Sequence, residues 1–554
     1  MFELIFAIFV VTIVIYGQGI AFNKYIVRKS ILISDFFEIF FFGFIFLGFN
    51  ILIINFFYPI DKIIGTIVLL LSVIIFIVEV VKNNQTRILL IKFTILTFIS
   101  FFLIAFSNVN RPDAGLYHLP FISILNENKI IIGLSNLHFR FGHISIIQYV
   151  SSAFNNFLIP IQSISIPTAL IFSTFIFFLY TSLKDSLKQN NIYFSLIYFM
   201  TLIVSVYSYN RFSEYGNDAP SHIFFLLLFI YILTKDKENQ SFSNILLIST
   251  FLVLLKPFMA VLIFLIIYLF FKQKNKINLL FDKKIIFSVL LLIFWIIKNI
   301  MTSGCIIYPI SKLCSDEFII TDLKKTKIEE ISGEAWSKDW SNYKKGKYDI
   351  EEYNKNFRWL NTWYKNHFKI ILEKFSPIVI FLIFIYIVLS LNSEKNKKKF
   401  SIENYFLIIL FLFFVFSWFI KFPLYRYGSS FLIVFSIYLV IFLTTRFDYS
   451  NKIKNIKLMI NCFLFVAIIF FFAKNTYRII NNFEHKLYFP QIYSLNDIKQ
   501  NKPTKFLKVD VYNKGSYYFS DGNLCMYSSS PCTHIKLNDI VFKQSYKYKI
   551  FYKK

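Results

Sequence analysis

Polar side chains are scarce in this chain, and those able to do chemistry collect in a few stretches. One reads Asn108-Val-Asn-Arg-Pro-Asp-Ala-Gly-Leu-Tyr-His-Leu-Pro and, further on, Gly133-Leu-Ser-Asn-Leu-His-Phe-Arg-Phe-Gly-His. Asp113, Tyr117, His118, Asn136, His138, Arg140 and His143 therefore crowd one loop of an otherwise greasy protein. A carboxylate there could take a proton from a hydroxyl, and a guanidinium could hold a phosphate through its two-pronged fork. If Asp113 opens a helix, Tyr117 lies on the same face one turn later. An acidic residue at a helix start also has the plain role of a cap. Three of the seven histidines fall here, so a metal has to be weighed. Their spacing is not that of a compact His-x-x-x-His helix, and the nearby carboxylates are only Asp113 and Glu127. Hydrogen bonding to a phosphate or a sugar is the expected use. No cofactor is called for, and ligand spacing does not support a divalent cation.

Three further places carry candidates. The stretch Arg211-Phe-Ser-Glu-Tyr-Gly-Asn-Asp-Ala-Pro adds Glu214 and Asp218 around a turn at Gly216, although Asp218 could simply cap the following helix. Lys256 precedes Pro257 in the middle of an apolar run, either snorkelling toward headgroups or countering a lipid-linked phosphate. Lys421-Phe-Pro-Leu-Tyr-Arg-Tyr-Gly places Arg426 at the start of another apolar run, as a phosphate fork or as an anchor for the helix end.

The elements that must position these residues are membrane spans. The 554 residues are 56% hydrophobic and only 16% charged, with mean hydropathy +0.58, and apolar runs recur from end to end. Each run is long enough to cross a hydrocarbon core of about 30 Å, and lipid admits such runs as helices. The reading is an all-α polytopic membrane protein of about fourteen transmembrane helices. They begin near Phe2, Asp35, Lys62, Ile88, Pro160, Ile192, Pro220, Phe242, Pro257, Ile285, Ile371, Ile402, Ser429 and Leu458. The first lacks a basic leader and a small-residue cleavage site, so it reads as a retained span. The run from Phe242 to Phe271 is split in two, because proline breaks the helix ladder and a mid-bilayer ammonium is costly.

The net charge of +27 would suggest nucleic acid in a soluble protein. Here much of the Lys and Arg lies in short loops between spans, at Lys24 to Lys29, Lys82 and Arg87, Lys184 and Lys188, Lys235 and Lys237, Lys272 to Lys276, Lys395 to Lys399 and Lys452 to Lys457. All fall on one side of the fourteen-span arrangement, which makes that side cytoplasmic and puts both termini outside. Outside then lie 108 to about 145, 209–219, 303 to about 369, and 474 to the C-terminus. In the third, Trp336, Trp340, Trp359 and Trp363 suit an interfacial helix. The last has alternating stretches such as Lys505 to Tyr512, consistent with a small β or α/β segment. Cys305 with Cys314 and Cys525 with Cys532 form two local pairs in outer segments, while Cys462 is alone in a span. Disulfides in an oxidising exterior fit that distribution, and zinc fits it less well. Three regions result: N-terminal spans (1–108), a transmembrane core with outer loops (109–473) and a C-terminal extracytoplasmic segment (474–554).

Taken together, these residues resemble membrane glycosyltransferases of the GT-C type, which include the protein O-mannosyltransferases and the lipid A aminoarabinose transferases. Asp113 matches the acidic residue of that superfamily's first large outer loop, and Lys256 before Pro257 resembles the lysine between two short helices in some members. The chain is more closely similar to an uncharacterised family of bacterial membrane proteins with an Asp-x-x-x-Tyr-His motif. That likeness rests on Asp113-Ala-Gly-Leu-Tyr-His, Gly133-Leu-Ser-Asn-Leu-His-Phe-Arg-Phe-Gly, Lys298-Asn-Ile-Met-Thr-Ser-Gly-Cys-Ile-Ile-Tyr-Pro, Tyr425-Arg-Tyr-Gly and the Cys525 to Cys532 tail. Two departures stand out. Three spans precede the one that usually comes first, and Ala114 stands where many members carry a second acidic residue, so Glu214 or Asp218 could share the role of Asp113.

The resemblance implies inverting sugar transfer from a polyprenyl-phosphate donor at the outer face of the cytoplasmic membrane, to a glycan, lipid or protein of the cell envelope. Asp113 would be the base. Lys256, Arg426 and Arg140 would bind the carrier phosphate, and Tyr117, His118, His138, Glu214 and Asp218 would contact substrate. A transporter or flippase of the lipid-linked saccharide, or a polysaccharide polymerase, are the alternatives. A transporter predicts charges at mid-bilayer depth in several spans and internal repeats, whereas the sequence has few buried charges and no clear repeat.

Overall fold

A computed structural model describes residues 2–28, 35–82, 86–105, 113–209, 215–234, 239–274, 276–343, 346–395, 402–449, 452–481, 506–511, 515–521, 524–537 and 539–553. Glu214 lies outside these residues, as do Lys235, Lys237 and Lys397 to Lys399 of the basic loops.

Long apolar helices dominate. Among the described residues ten are long and apolar enough to cross a membrane: Phe2–Val27, Phe36–Phe57, Lys62–Lys82, Thr86–Ala105, Ile161–Lys188, Lys283–Ser303, Leu360–Leu391, Ile402–Lys421, Tyr425–Thr444 and Ile453–Tyr477. Four shorter apolar helices accompany them: Ile192–Ser208, Asp218–Thr234, Phe242–Leu255 and Pro257–Lys272. Helix Lys62–Lys82 turns Ile63, Ile67, Leu70, Leu71 and Ile74 outward, and Ile402–Lys421 does the same with Ile409, Leu412 and Phe416. Apolar faces of that extent suit lipid and not water. The chain is a multi-pass membrane protein.

Polar and small residues knit the helices together inside. Gln18 donates to Ser72 Oγ at 2.7 Å and accepts from Asn50 at 3.0 Å. A Cβ on Gly43 would lie 2.0 Å from the carbonyl oxygen of Ile15, so only glycine permits this crossing of the first two helices. Phenylalanine fills much of the rest, as where Tyr16 packs on Phe36, Phe40, Phe76 and Phe93.

The long apolar run around residue 256 breaks where proline requires it. One helix ends at Leu255, Lys256 is extended (φ −153°, ψ 110°), and a short 3-10 turn, Pro257–Leu262, leads into the next helix.

Two polar parts complete the fold. Residues 311–368 carry the helix Leu323–Ser337 and several short turns around a small core of Ala335, Tyr353, Trp359 and Trp363. The four tryptophans do not share one interfacial helix. Trp359 and Trp363 are buried in that core, while Trp336 is half-exposed. Near the C-terminus Phe506–Val511 pairs antiparallel with Gly515–Ser520, which pairs parallel with Cys532–Thr533. Strands Ile540–Ser545 and Tyr548–Lys553 form a separate hairpin. Disulfides join Cys305 to Cys314 and Cys525 to Cys532.

The C-terminal strands dock on the segment that begins at Asp113. Met526 N–H donates to Gly115 O at 2.8 Å, and Phe551 N–H donates to Ile132 O at 2.9 Å. Ser530 donates to Glu127, and Tyr527 donates to Asn126.

Candidate functional site

Segments far apart in sequence converge on one cavity of about 1010 Å³. Asp113, Tyr117, His118, Arg140, Asp218, Lys256 and Arg426 all line it.

Asp113 precedes the helical turn Ala114–His118, and its side chain makes no cap to that turn. It reaches across the cavity instead, accepting from Arg426 Nη1 at 2.9 Å with both side chains about a third exposed. The other prong, Arg426 Nη2, donates to Tyr427 OH at 2.8 Å, and Arg426 Nε is buried without a partner among the described residues. The guanidinium is thus held at one edge by an anion and keeps unused donor capacity.

Lys256 does not snorkel outward. Its ammonium pairs with Asp218 Oδ1 at 2.8 Å and lies 4.1 Å from the centre of the Tyr427 ring. The Arg426 guanidinium sits 4.9 Å from the same ring. One tyrosine therefore brings two cations together, each with a carboxylate counter-ion. The helix that begins at Tyr425 is fixed by His222, whose ring nitrogens bond Ser430 Oγ and Arg426 O, both at 2.8 Å. A Cβ on Gly428 would lie 2.2 Å from the Trp418 ring, so the close approach of these two helices depends on glycine.

His118 is buried and neutral. Gln148 completes a capping box by accepting from Ser145 N–H through Oε1, so its amide nitrogen faces His118 Nδ1 at 2.8 Å as donor. The histidine proton is then on Nε2. Burial pushes the His118 pKa down to about 4, with Asp113 and Asp218 opposing and Arg140 and Arg426 adding to the fall. Burial likewise raises the Tyr117 hydroxyl far above its usual range, so it stays protonated. Arg140 lies 5.5 Å from the Tyr117 ring and 4.9 Å from that of Phe139.

His138 is not in the cavity wall. It is buried beside His534 of the C-terminal segment, ring centres 4.9 Å apart, and its Nδ1 accepts from Arg140 N–H at 3.1 Å. Its role is to fix the turn that carries Arg140. Among the described residues no three His, Cys, Asp or Glu side chains are grouped so that they could hold a metal ion.

Several residues of the site and its support escaped sequence reading. Tyr427 stood inside the quoted Tyr425-Arg-Tyr-Gly motif, but nothing in the sequence distinguished it from the chain's many other tyrosines. Gln148 is recognisable only as the N3 residue of a capping box opened by Ser145. Glu329 and Trp336 come from the helix Leu323–Ser337, and Lys374, Lys421 and Lys474 add charge to the rim.

A family model described as a domain of unknown function (DUF8201) matches residues 1–433. The chain belongs to that family. Every wall residue of the cavity except Lys474 falls inside the matched region, whereas the C-terminal strands lie beyond it. No curated protein and no solved structure matches the chain.

Proposed function

We propose that this protein is an inverting membrane glycosyltransferase. It takes a sugar from a polyprenyl-phosphate-linked donor and gives it to an acceptor hydroxyl at the outer face of the cytoplasmic membrane. The chain would cross the bilayer fourteen times, through the ten long and four shorter apolar helices, with both termini outside. The observation that carries the reading is the pair of cations on Tyr427. Lys256 and Arg426 are each balanced by a carboxylate in one cavity roomy enough for a sugar phosphate.

The chemistry follows from that arrangement. An arriving phosphate competes with Asp113 for Arg426 and with Asp218 for Lys256. Drawing the guanidinium toward the phosphate releases Asp113 to accept a proton. The acceptor hydroxyl then attacks the anomeric carbon, giving its proton to Asp113 as the new C–O bond forms. The bond from that carbon to the phosphate oxygen breaks, and its electron pair leaves with the lipid phosphate, steadied by Lys256 and Arg426. Neutral His118 and protonated Tyr117 are suited to hydrogen-bonding sugar hydroxyls. Purified protein in lipid vesicles, supplied with a lipid-linked sugar, is the test. Free lipid phosphate and a sugar on the acceptor are the expected products. A lipid-linked sugar moved across the bilayer intact would reject transfer in favour of transport.

A further inference from the structure

The cavity has a second wall of different chemistry. Helix Leu323–Ser337, outside the candidate spans, is started by Asp322, whose side chain accepts from Lys325 N–H at 2.9 Å. Glu329, Gly333 and Trp336 follow at spacings of four and three, so they share one stripe, and all three line the cavity. The neighbouring row is occupied: Glu330 accepts from Ser311, and Glu334 accepts from Lys338 and Lys421.

The stripe itself is open. Glu329 makes no hydrogen bond or ion pair among the described residues. A Cβ on Gly333 would meet nothing within 4 Å, and Trp336 is 47% exposed with the Arg426 guanidinium 5.4 Å from its ring centre. Behind it the buried Ala335, Tyr353, Trp359 and Trp363 make the backing rigid.

A flat indole, bare backbone and a carboxylate one turn apart answer the chemistry of a pyranose. Its C–H face stacks on the ring, while its hydroxyls donate to the carboxylate. Another phosphate would be repelled there by Glu329, and a lipid tail would leave Glu329 desolvated and unpaired. We propose that Glu329, Gly333 and Trp336 form the subsite for a pyranose ring of a hydroxyl-rich saccharide acceptor. This rests on the transferase reading of the same cavity. Partial burial raises the Glu329 pKa against the pull of Lys325 and Arg140.

A pyranose could also come from the donor, and the experiment separates the two. Full-length protein in detergent is screened with free glucose, galactose, mannose, N-acetylglucosamine and their disaccharides by saturation-transfer NMR. At least one is expected to bind. Trp336→Ala and Glu329→Gln should each weaken it about tenfold, and Trp336→Phe should restore most of the loss. Absence of binding across the panel, or binding indifferent to Trp336→Ala, overturns the subsite. A lipid-linked sugar is then added to saturation: a saccharide that stays bound supports the acceptor assignment, and one that is displaced rejects it. Saccharide binding that depends on Trp336 without any sugar transfer would reject the proposed reaction and leave the subsite standing.

Discussion

Asp113→Asn should cripple sugar transfer while tightening the grip on lipid phosphate. In the resting structure Arg426 is engaged by Asp113 at 2.9 Å, and a phosphate must draw it away. Two unit charges about 4 Å apart attract by about 1 kcal/mol in water and about 4 kcal/mol at an effective dielectric constant near 20. Both side chains are about a third exposed, so solvent screening puts the pair in the lower half of that span, about 1–2 kcal/mol. Removing the charge on Asp113 spares the phosphate that cost, raising its affinity by up to about 5- to 30-fold. Turnover should fall about 100- to 10,000-fold, the ordinary loss on removing a general base. Arg426→Gln should act in the opposite sense on binding, weakening the lipid phosphate about 10- to 150-fold for a lost charge-assisted hydrogen bond. Native mass spectrometry or calorimetry with polyprenyl phosphate reads binding, and a radiolabelled sugar donor reads transfer. Unchanged lipid-phosphate affinity in Asp113→Asn would show that the guanidinium serves both anions at once, refuting the competition. Transfer at the wild-type rate would refute the base.

Other expectations concern the scaffold. Lys256→Met should destabilise the protein by about 3 kcal/mol by removing the ammonium that pairs with the Asp218 carboxylate, and Lys256→Met with Asp218→Asn should recover much of that in thermal denaturation. His118 is held neutral, with its pKa lowered from 6.5 to about 4. Above pH 6.5 neither folded nor unfolded chain protonates it. Below that the unfolded chain takes up a proton that the folded one refuses, so stability falls until about pH 4, by about 3 kcal/mol at most. Melting temperatures at pH 7.5 and 4.5 should diverge less in His118→Gln than in the native chain. Cys525→Ser with Cys532→Ser should loosen the tail by about 2 kcal/mol. Because Met526 bonds Gly115 O, hydrogen exchange should rise across 113–132 and stay unchanged in Phe36–Phe57.

Much of the scaffold was legible in the residues. The apolar runs, the break at Lys256-Pro257, the two cysteine pairs and strand character near residue 506 all have local causes, and each is where its physics required. Several candidates also met in space: Asp113 and Arg426 touch across 313 positions of sequence. Their pairing could not be derived, because in lipid both the buried and the lipid-facing sides of a helix are apolar. Hydropathy therefore says that a helix exists without saying which way it faces. The same blindness hid Tyr427. His138 looked like its neighbours His118 and His143, yet only tertiary contact with His534 decides that it is structural. The tryptophans of 336–363 were misread for a related reason: a small aromatic core mostly outside the candidate spans has the same composition as an interfacial helix.

The most direct measurement is sugar transfer by the purified full-length protein in vesicles, with radiolabelled polyprenyl-phosphate sugar and a saccharide acceptor, followed for the native chain and Asp113→Asn side by side. The expected result is loss of label from the lipid and its appearance on the acceptor with inverted anomeric configuration, in the native chain alone. Label that remains on the lipid in both, or leaves it equally well without the Asp113 carboxylate, would contradict the assignment.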